Sequence, residues 1–513
     1  MVSNLEAELN RHYHFSTFRT GQKEIITDIL NGCNVMGVLP TGTGKSLCYQ
    51  LPARLLDGTV IVVSPLISLM IDQVKELKAS GFKEVIAINS FLKISDRTSV
   101  LKKLDEYKLI YVSPEMLQNP LFVQKLKKID VSLFVVDEAH CISQWGHEFR
   151  PDYLKLNNII NQLGFPTVLA LTGTATPEVQ SDIKKQLGCK EMRKHIYPMD
   201  RENIAFMVER FNHYQEKMDY LTQLLKKYIV PTMIYFSSRN TTEKASKQLS
   251  INLPNHRIAY YHGGMEQEDR ILIQQQFMNN QLDIICCTSA FGMGINKKDI
   301  RLVLHFHLPT QIESFIQEIG RAGRDGQSSL SLVLIGPNDH LLPKKLIENE
   351  LPNVQDVSNL VDHLFSRNLE NKRLILKETD LTNLFNLNET QWRFLVFQFE
   401  KHGMIKENRI LKEFADWENI KTIINNMILS RNKYKQEKLS ELLQWASNDD
   451  MCRRKTLFSS FQNTISDPLY GCCDVCGFFI SNWEPLTSEE NTRLPAKNWE
   501  ETWKQLMLQG DYH

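Results

Sequence analysis

The chain has no excess of either charge: 60 Lys and Arg balance 60 Asp and Glu across 513 residues. Bulk electrostatics therefore supplies no attraction to a polyanion, and any grip on nucleic acid has to come from local patches. Apolar runs of the ~18 residues needed to span a membrane are also missing. The opening residues mix charge and polarity where a secretion signal would carry an apolar centre. These absences point away from membrane and exported classes and lead to the expectation of a cytoplasmic, nucleoid-associated protein. Cysteine is sparse over most of the chain. Cys33, Cys48, Cys141, Cys189, Cys286 and Cys287 lie scattered in apolar contexts and read as inert core thiols, whereas Cys452, Cys472, Cys473 and Cys476 gather near the end.

The length suits about three domains. Short apolar runs at 35–39, 60–63, 109–112, 133–136 and 168–171 alternate with helix-like stretches, the pattern of a parallel sheet with crossover helices. After the first run comes Pro40-Thr41-Gly42-Thr43-Gly44-Lys45-Ser46, a glycine-rich strand-to-helix turn. Its backbone amides can close around phosphate, with Lys45 on the outer phosphates and Ser46 on magnesium. Leu39 stands where the strict phosphate-loop pattern has glycine, so the bland alternative is a mere glycine turn. The run at 133–136 ends in Asp137-Glu138-Ala139-His140. Paired acids are common on surfaces. At the end of an apolar strand downstream of a phosphate loop, they read as a second magnesium anchor, Asp137, and an activator of water, Glu138. The loop that follows mixes Trp145, His147, Phe149, Arg150 and Tyr153, flat faces together with positive charge. Such a mixture grips unstacked bases, although Trp145 and Phe149 could equally be core.

Together, Gly42-Thr43-Gly44-Lys45-Ser46, Asp137-Glu138-Ala139-His140 and Gly320-Arg321-Ala322-Gly323-Arg324-Asp325-Gly326 resemble motifs I, II and VI of a superfamily 2 helicase. Gln144-Trp145-Gly146-His147-Glu148-Phe149-Arg150-Pro151 narrows the resemblance to the RecQ family of DNA helicases. It is similar to their aromatic-rich loop, implying that Trp145, His147, Phe149 and Arg150 couple single-strand binding to hydrolysis. Phe18-Arg19-Thr20-Gly21-Gln22 resembles the adenine-recognition motif, which implies that Arg19 and Gln22 bond the base edge. Phe15 then falls where tyrosine usually stacks on the base. Val63-Ser64-Pro65-Leu66 and Tyr111-Val112-Ser113-Pro114-Glu115 resemble motifs Ia and Ib, implying a DNA path that includes Ser64. Leu171-Thr172-Gly173-Thr174-Ala175-Thr176 resembles motif III, with Gly173 where alanine is more usual.

A second series of apolar runs, at 233–236, 258–261, 284–287, 302–306 and 330–335, predicts another α/β layer with no close sequence repeat of the first. The nucleotide is expected in the cleft between them. Arg321 and Arg324 lie three apart and would share one helical face; a surface salt-bridge face is the bland alternative. The resemblance implies that Arg324 reaches the outer phosphate, that Arg321 pairs with phosphate or first-lobe acids, and that His140 and Gln317 belong to the catalytic set. His307 stands where the family commonly has aspartate.

Beyond residue 336 the resemblance lapses. Asn388-Glu389-Thr390-Gln391 can cap a helix that places Trp392, Leu395, Val396 and Phe399 on one face and ends near Gly403. This suggests a winged-helix-like insert, for DNA or for a structural or partner-binding role. The resemblance returns at Met451-Cys452-Arg453-Arg454 and Gly471-Cys472-Cys473-Asp474-Val475-Cys476, the family's zinc subdomain. Tyr470 occupies the usual second cysteine position, so either Cys472 substitutes as fourth ligand or the site is degenerate. In the tail, Trp483, Trp499 and Trp503 are expected to dock back on the body.

The expected architecture is α/β: two tandem RecA-like parallel-sheet lobes (1–200 and 201–340), a helical, winged-helix-like insert (341–430), a zinc-binding helical platform (431–480) and a tail (481–513). The expected function is an ATP-dependent DNA helicase using Mg2+ and Zn2+, moving 3′ to 5′ by resemblance, on single-stranded and tailed or forked duplex DNA. Single-strand-binding and recombination proteins are its expected partners. The alternatives are a DNA-stimulated translocase without strand separation, a nucleotide-switched DNA-binding module with negligible turnover, and a structural interaction protein built on the insert.

Overall fold

The computed structural model describes residues 4–89, 100–143, 150–292, 295, 297–369, 382, 384–406, 409–411, 416–462 and 465–486. Seven strands form the first sheet: β1 (Val35–Val38), β2 (Thr59–Val63), β3 (Val85–Ile88), β4 (Leu109–Val112), β5 (Val131–Val136), β6 (Thr167–Thr172) and β7 (Arg193–Ile196). Their order is β3-β4-β2-β5-β6-β1-β7, all parallel. Near-continuous Val and Ile runs build the central strands because helices cover both faces.

The chain leaves this sheet at Ile196 and enters a second at Ile204. That sheet contains β8 (Ile204–Arg210), β9 (Thr232–Tyr235), β10 (Ile258–Tyr261), β11 (Ile284–Cys287), β12 (Leu302–His305) and β13 (Ser329–Ile335), again parallel, in the order β10-β11-β9-β12-β13-β8. All ten expected runs are strands. β3, β7 and β8 are additional, and β7 escapes the pattern because an edge strand tolerates the exposed Arg193 and Lys194.

Beyond the sheets the chain is helical, with helices Leu341–Glu348, Val354–Leu369, Glu389–Lys401 and the 31-residue Trp417–Ser447. Asn388 and Gln391 form the expected capping box. Ile405–Lys406 and Arg409–Ile410 pair antiparallel. The long helix reaches back to the second lobe, where Trp445 packs on Phe315 with ring centroids 4.8 Å apart.

The zinc-platform segment covers the open edge of β8. Phe206 bridges Cys473 and donates its N–H to Cys472 O at 3.1 Å. Trp483 is buried against Tyr228 of the second lobe. Trp499 and Trp503 lie outside the described residues.

Candidate active site and zinc platform

Strand register brings the chemistry to one sheet edge. Val38 pairs with Thr172, and Val63 with Val136, so the phosphate loop, Ser64, Asp137 and Gly173 all leave the carboxyl edge together. Gly42 and Gly44 adopt φ of +86° and +77°, the left-handed geometry that lets the loop curl ahead of helix Leu47–Leu55. Arg19 Nη1 donates to Gly42 O at 2.7 Å, and Gln22 Nε2 donates to Thr43 O at 2.8 Å and Gly44 O at 3.1 Å. These two side chains therefore brace the loop's carbonyls. Phe15 is exposed nearby in sequence.

Lys45 Nζ is buried without a hydrogen-bond partner among the described residues. An unpartnered buried ammonium is costly unless an anion completes it. A Cβ on Gly173 would stand 2.9 Å from this nitrogen and 3.3 Å from Thr41 Cγ2, so glycine leaves the ammonium its room.

Asp137 is buried at the end of β5, and burial, then the Glu138 charge, push its carboxyl pKa up to about 7 against the opposing pull of Lys45. A buried carboxylate with a second acid beside it is a place that a divalent cation suits. Glu138 takes φ +47°, a strained turn that swings it off the strand line. His140 Nδ1 lies 2.9 Å from Thr172 Oγ1 and 3.5 Å from Glu138 Oε2. Burial, reinforced by Lys45 and Arg150, drives the His140 pKa down to about 3, so the ring is neutral at pH 7. The His140 ring thus stands between Glu138 and Thr172.

The second lobe supplies the opposite charge. Helix Ile312–Ile319 carries the buried Gln317 and leads into Arg321, whose Nη1 donates to Gly292 O. Arg324 donates to Ile295 O. Its stem lies against the phosphate loop, 2.9 Å from where a Cβ on Gly42 would be, and a side chain on Gly320 would overlap the Thr41 hydroxyl. The two lobes are therefore in close contact here. Burial, then the Arg321 and Arg201 charges, lower the Arg324 pKa to about 9. Arg201, Arg321 and Arg324 thus gather positive charge on this side of the cleft.

On the expected DNA side, Ser64 is buried. Arg150 Nη1 donates to Pro65 O at 3.1 Å, and Tyr153 Oη donates to Asp137 O at 3.1 Å. Trp145, His147 and Phe149 lie outside the described residues.

The sulfurs of Cys452, Cys472, Cys473 and Cys476 all lie within 4.8 Å of one another. Cys452 Sγ is 3.5 Å from Cys472 Sγ and 4.0 Å from Cys473 Sγ. A tetrahedral zinc thiolate site separates its sulfurs by about 3.8 Å, so the donor set fits zinc. Cys472 thus supplies the fourth thiol, while Tyr470 is exposed.

Residues 19–183 match a family model described as DEAD/DEAH box helicase, residues 216–326 the helicase conserved C-terminal domain, and residues 414–477 RecQ zinc-binding. The chain is 41% identical over 500 residues to the probable ATP-dependent DNA helicase RecS of Bacillus subtilis (strain 168), covering 97% of each. The chain belongs to the RecQ family of ATP-dependent DNA helicases. It is 39% identical to the ATP-dependent DNA helicase RecQ of the same bacterium, over 70% of this chain and 61% of that one. The fold of this RecQ-family chain is also that of the DUF1998 helicase MrfA bound to DNA, at TM-score 0.58 and 18% identity, covering 82% of this chain and 64% of that one.

Sequence reasoning missed the segment that joins the lobes of this RecQ-family chain. There Asp200 and Asn203 are buried and Arg201 is half-buried. Arg454 pairs with Asp200 and donates to Arg201 O at 3.0 Å, and Met199 N donates to Gln462 Oε1 at 2.7 Å. No local signal marks these partners, which come from the zinc platform more than 250 residues away.

Proposed function

We propose that this chain hydrolyses ATP in the interlobe cleft and uses the cycle to move 3′ to 5′ on single-stranded DNA and separate duplex strands, in recombination or repair. The observation that carries the reading is the unpartnered Lys45 ammonium, set beside Asp137 and Glu138 with Arg324 of the other lobe against the same loop. In this reading Lys45 binds the outer phosphates, Ser46 and Asp137 hold Mg2+, Glu138 orients water and accepts its proton, and Arg324 meets the charge that develops on the outer phosphate. Magnesium, when bound, neutralises phosphate charge. Arg321 and Gln317 hold the second lobe's side of the cleft, and His140 ties the acids to Thr172. Arg19, Gln22 and Phe15 serve the adenine side.

Ser64, Trp145, His147, Phe149 and Arg150 would meet the strand, and the four-cysteine site would hold structural zinc. The helices and hairpin of residues 341–430 are read as a winged-helix-like unit. A nucleoid location in the cytoplasm and contacts with single-strand-binding and recombination proteins follow from the substrate. No helix among the described residues is long and apolar enough to cross a membrane.

A second reading, translocation without strand separation, is favoured by helix Glu389–Lys401. Its Arg393 pairs with Glu389, and Lys155 of the first lobe pairs with its Glu400, so two cations that could meet a duplex are engaged internally. ATP consumption and unwinding on 3′-tailed DNA, 5′-tailed DNA and RNA duplexes separate the readings. Unwinding from a 3′ DNA tail is expected. DNA-stimulated hydrolysis without unwinding selects the translocase, and no hydrolysis refutes both.

A further inference from the structure

The interlobe segment does more than connect. We propose that Arg201 is a positioning residue for ATP hydrolysis, tying the phosphate loop of the first lobe to the peptide that separates Arg321 from Arg324 in the second. Arg201 Nη1 donates to Thr41 O at 3.4 Å, while Nη2 donates to Gly323 O at 2.5 Å and lies 3.5 Å from Ala322 O. One planar guanidinium therefore spans both walls of the cleft, with one nitrogen assigned to each lobe. Nη2 also donates to Asn203 Oδ1 at 3.4 Å, so both terminal nitrogens are engaged by protein oxygens and Arg201 acts through the arginines it places and not on phosphate.

The neighbouring geometry is built around that contact. Asn203 Nδ2 donates to Gly323 O at 2.8 Å and to Gln327 O at 2.7 Å, so the linker holds the same turn from a second side chain. Gly323 has φ +52°, and a Cβ there would overlap Asn203 and Ser329. The close approach of linker and turn thus requires glycine. The backbone of Arg201 is itself fixed, because its carbonyl accepts from Arg454 at 3.0 Å and the N–H of Met199 is held by Gln462. The zinc platform anchors the linker from outside, and Arg201 sets the lobes from inside. When the lobes part, the Thr41 contact breaks while the Gly323 contact can persist. The arginines would then be aligned to the phosphate loop only in the closed cleft.

This inference rests on the proposed ATPase reading, and the test separates the two. Full-length wild-type, R201A and R201K proteins are compared for nucleotide affinity with a fluorescent ATP analogue, for DNA-stimulated kcat and for Tm. R201A should lower kcat by about tenfold or more and leave affinity within about threefold, because the loop amides and Lys45 still bind phosphate. R201K keeps the charge but cannot span both carbonyls, so it should stay about threefold or more below wild type at an unchanged Tm. If R201A does not fold, R201K alone decides. Wild-type kcat in either variant overturns the inference. So does a parallel loss of affinity, kcat and Tm in R201A that R201K fully restores, which is the signature of a merely structural cation. A wild-type chain without DNA-stimulated hydrolysis overturns the functional reading, and this inference with it; active wild type with unaffected variants overturns this inference alone.

Discussion

Replacing Arg454 by methionine tests how the zinc platform is fastened to the linker. The Arg454 and Asp200 side chains are only 1% and 0% exposed, and Arg454 also donates to the carbonyls of Arg201 and Ile204 and lies 4.9 Å over the Phe206 ring. Burial raises the Asp200 pKa even with the guanidinium present, so the pair does not fully offset its own desolvation. Methionine fills most of the space but strands the carboxylate. That group's escape is to take up a proton, which at pH 7 costs about 4 kcal/mol from an ordinary carboxyl pKa and at pH 5.5 only about 2. The destabilisation is therefore capped near 4 kcal/mol at pH 7 and is roughly 2 kcal/mol smaller at pH 5.5, apart from the lost carbonyl contacts. The sign follows from linkage: in the variant the folded carboxyl keeps its proton to higher pH than the unfolded one, so stability falls as pH rises above about 4. Because a multi-lobed chain need not unfold in one transition, the urea midpoint for Zn2+ release to a chromogenic chelator is the appropriate assay. R454M is compared with wild type at each pH, and R454M/D200N, which removes the stranded charge, should recover most of the loss. An equal loss at both pH values, or a double variant no better than R454M, refutes the reasoning.

Glu138→Gln should bind ATP with near-native affinity but lose roughly two orders of magnitude in kcat, since no base remains beside the water; native turnover in this variant removes Glu138 from that role. Wild type should keep about one equivalent of zinc after dialysis and Cys472→Ser well under half of it, measured by atomic absorption. Full retention by Cys472→Ser would show that Cys472 is not a ligand. His307 is half-buried near Lys217, and desolvation, then that cation, lower its pKa to about 4. Its neutral form therefore contributes stability at pH 7 that is lost as pH falls from about 6.5 toward 4, by at most about 3 kcal/mol. His307→Asn should lack this component, so a wild-type-minus-variant difference that does not change with pH in thermal unfolding would be the contrary result.

Much of this site was legible because its chemistry is local. The phosphate loop, Asp137-Glu138 and Arg321 to Arg324 announce themselves within a few residues, and buried parallel strands read as plain Val and Ile runs. Partnership was not legible. Arg19 and Gln22 carry a motif's residue types, but their bonds to Gly42, Thr43 and Gly44 depend on how two loops meet. The choice between Cys472 and a degenerate site turned on whether adjacent thiols could both face Cys452, which spacing alone cannot decide and the sulfur geometry does. β8 was hidden for another reason: its outer edge is completed by Cys472 and Cys473, so a strand at the sheet's margin has a buried sequence. Asp200 and Arg454 are each unremarkable alone, and their burial follows only from a contact across 254 residues.

The segment after Asp137 and Glu138 is where these levels meet. Arg150 N donates to Cys141 O and its side chain to Pro65 O, while Tyr153 Oη donates to the carbonyl of Asp137. Arg150 and Tyr153 are thus tied to backbone at the sheet's carboxyl edge, Tyr153 to the strand end carrying Asp137 and Arg150 to the Ser64-Pro65 turn. Two residues beyond Tyr153, Lys155 Nζ bonds Glu400 of helix Glu389–Lys401 at 2.7 Å. A displacement of this short strip cannot be absorbed locally, because the Tyr153 ring is fully buried and packed in the first-lobe core. It has to load the Asp137 carbonyl, the Pro65 carbonyl or the Glu400 contact. A change felt at this strip therefore reaches the Asp137 backbone through one hydrogen bond, and the helical region is bonded to the same strip from outside.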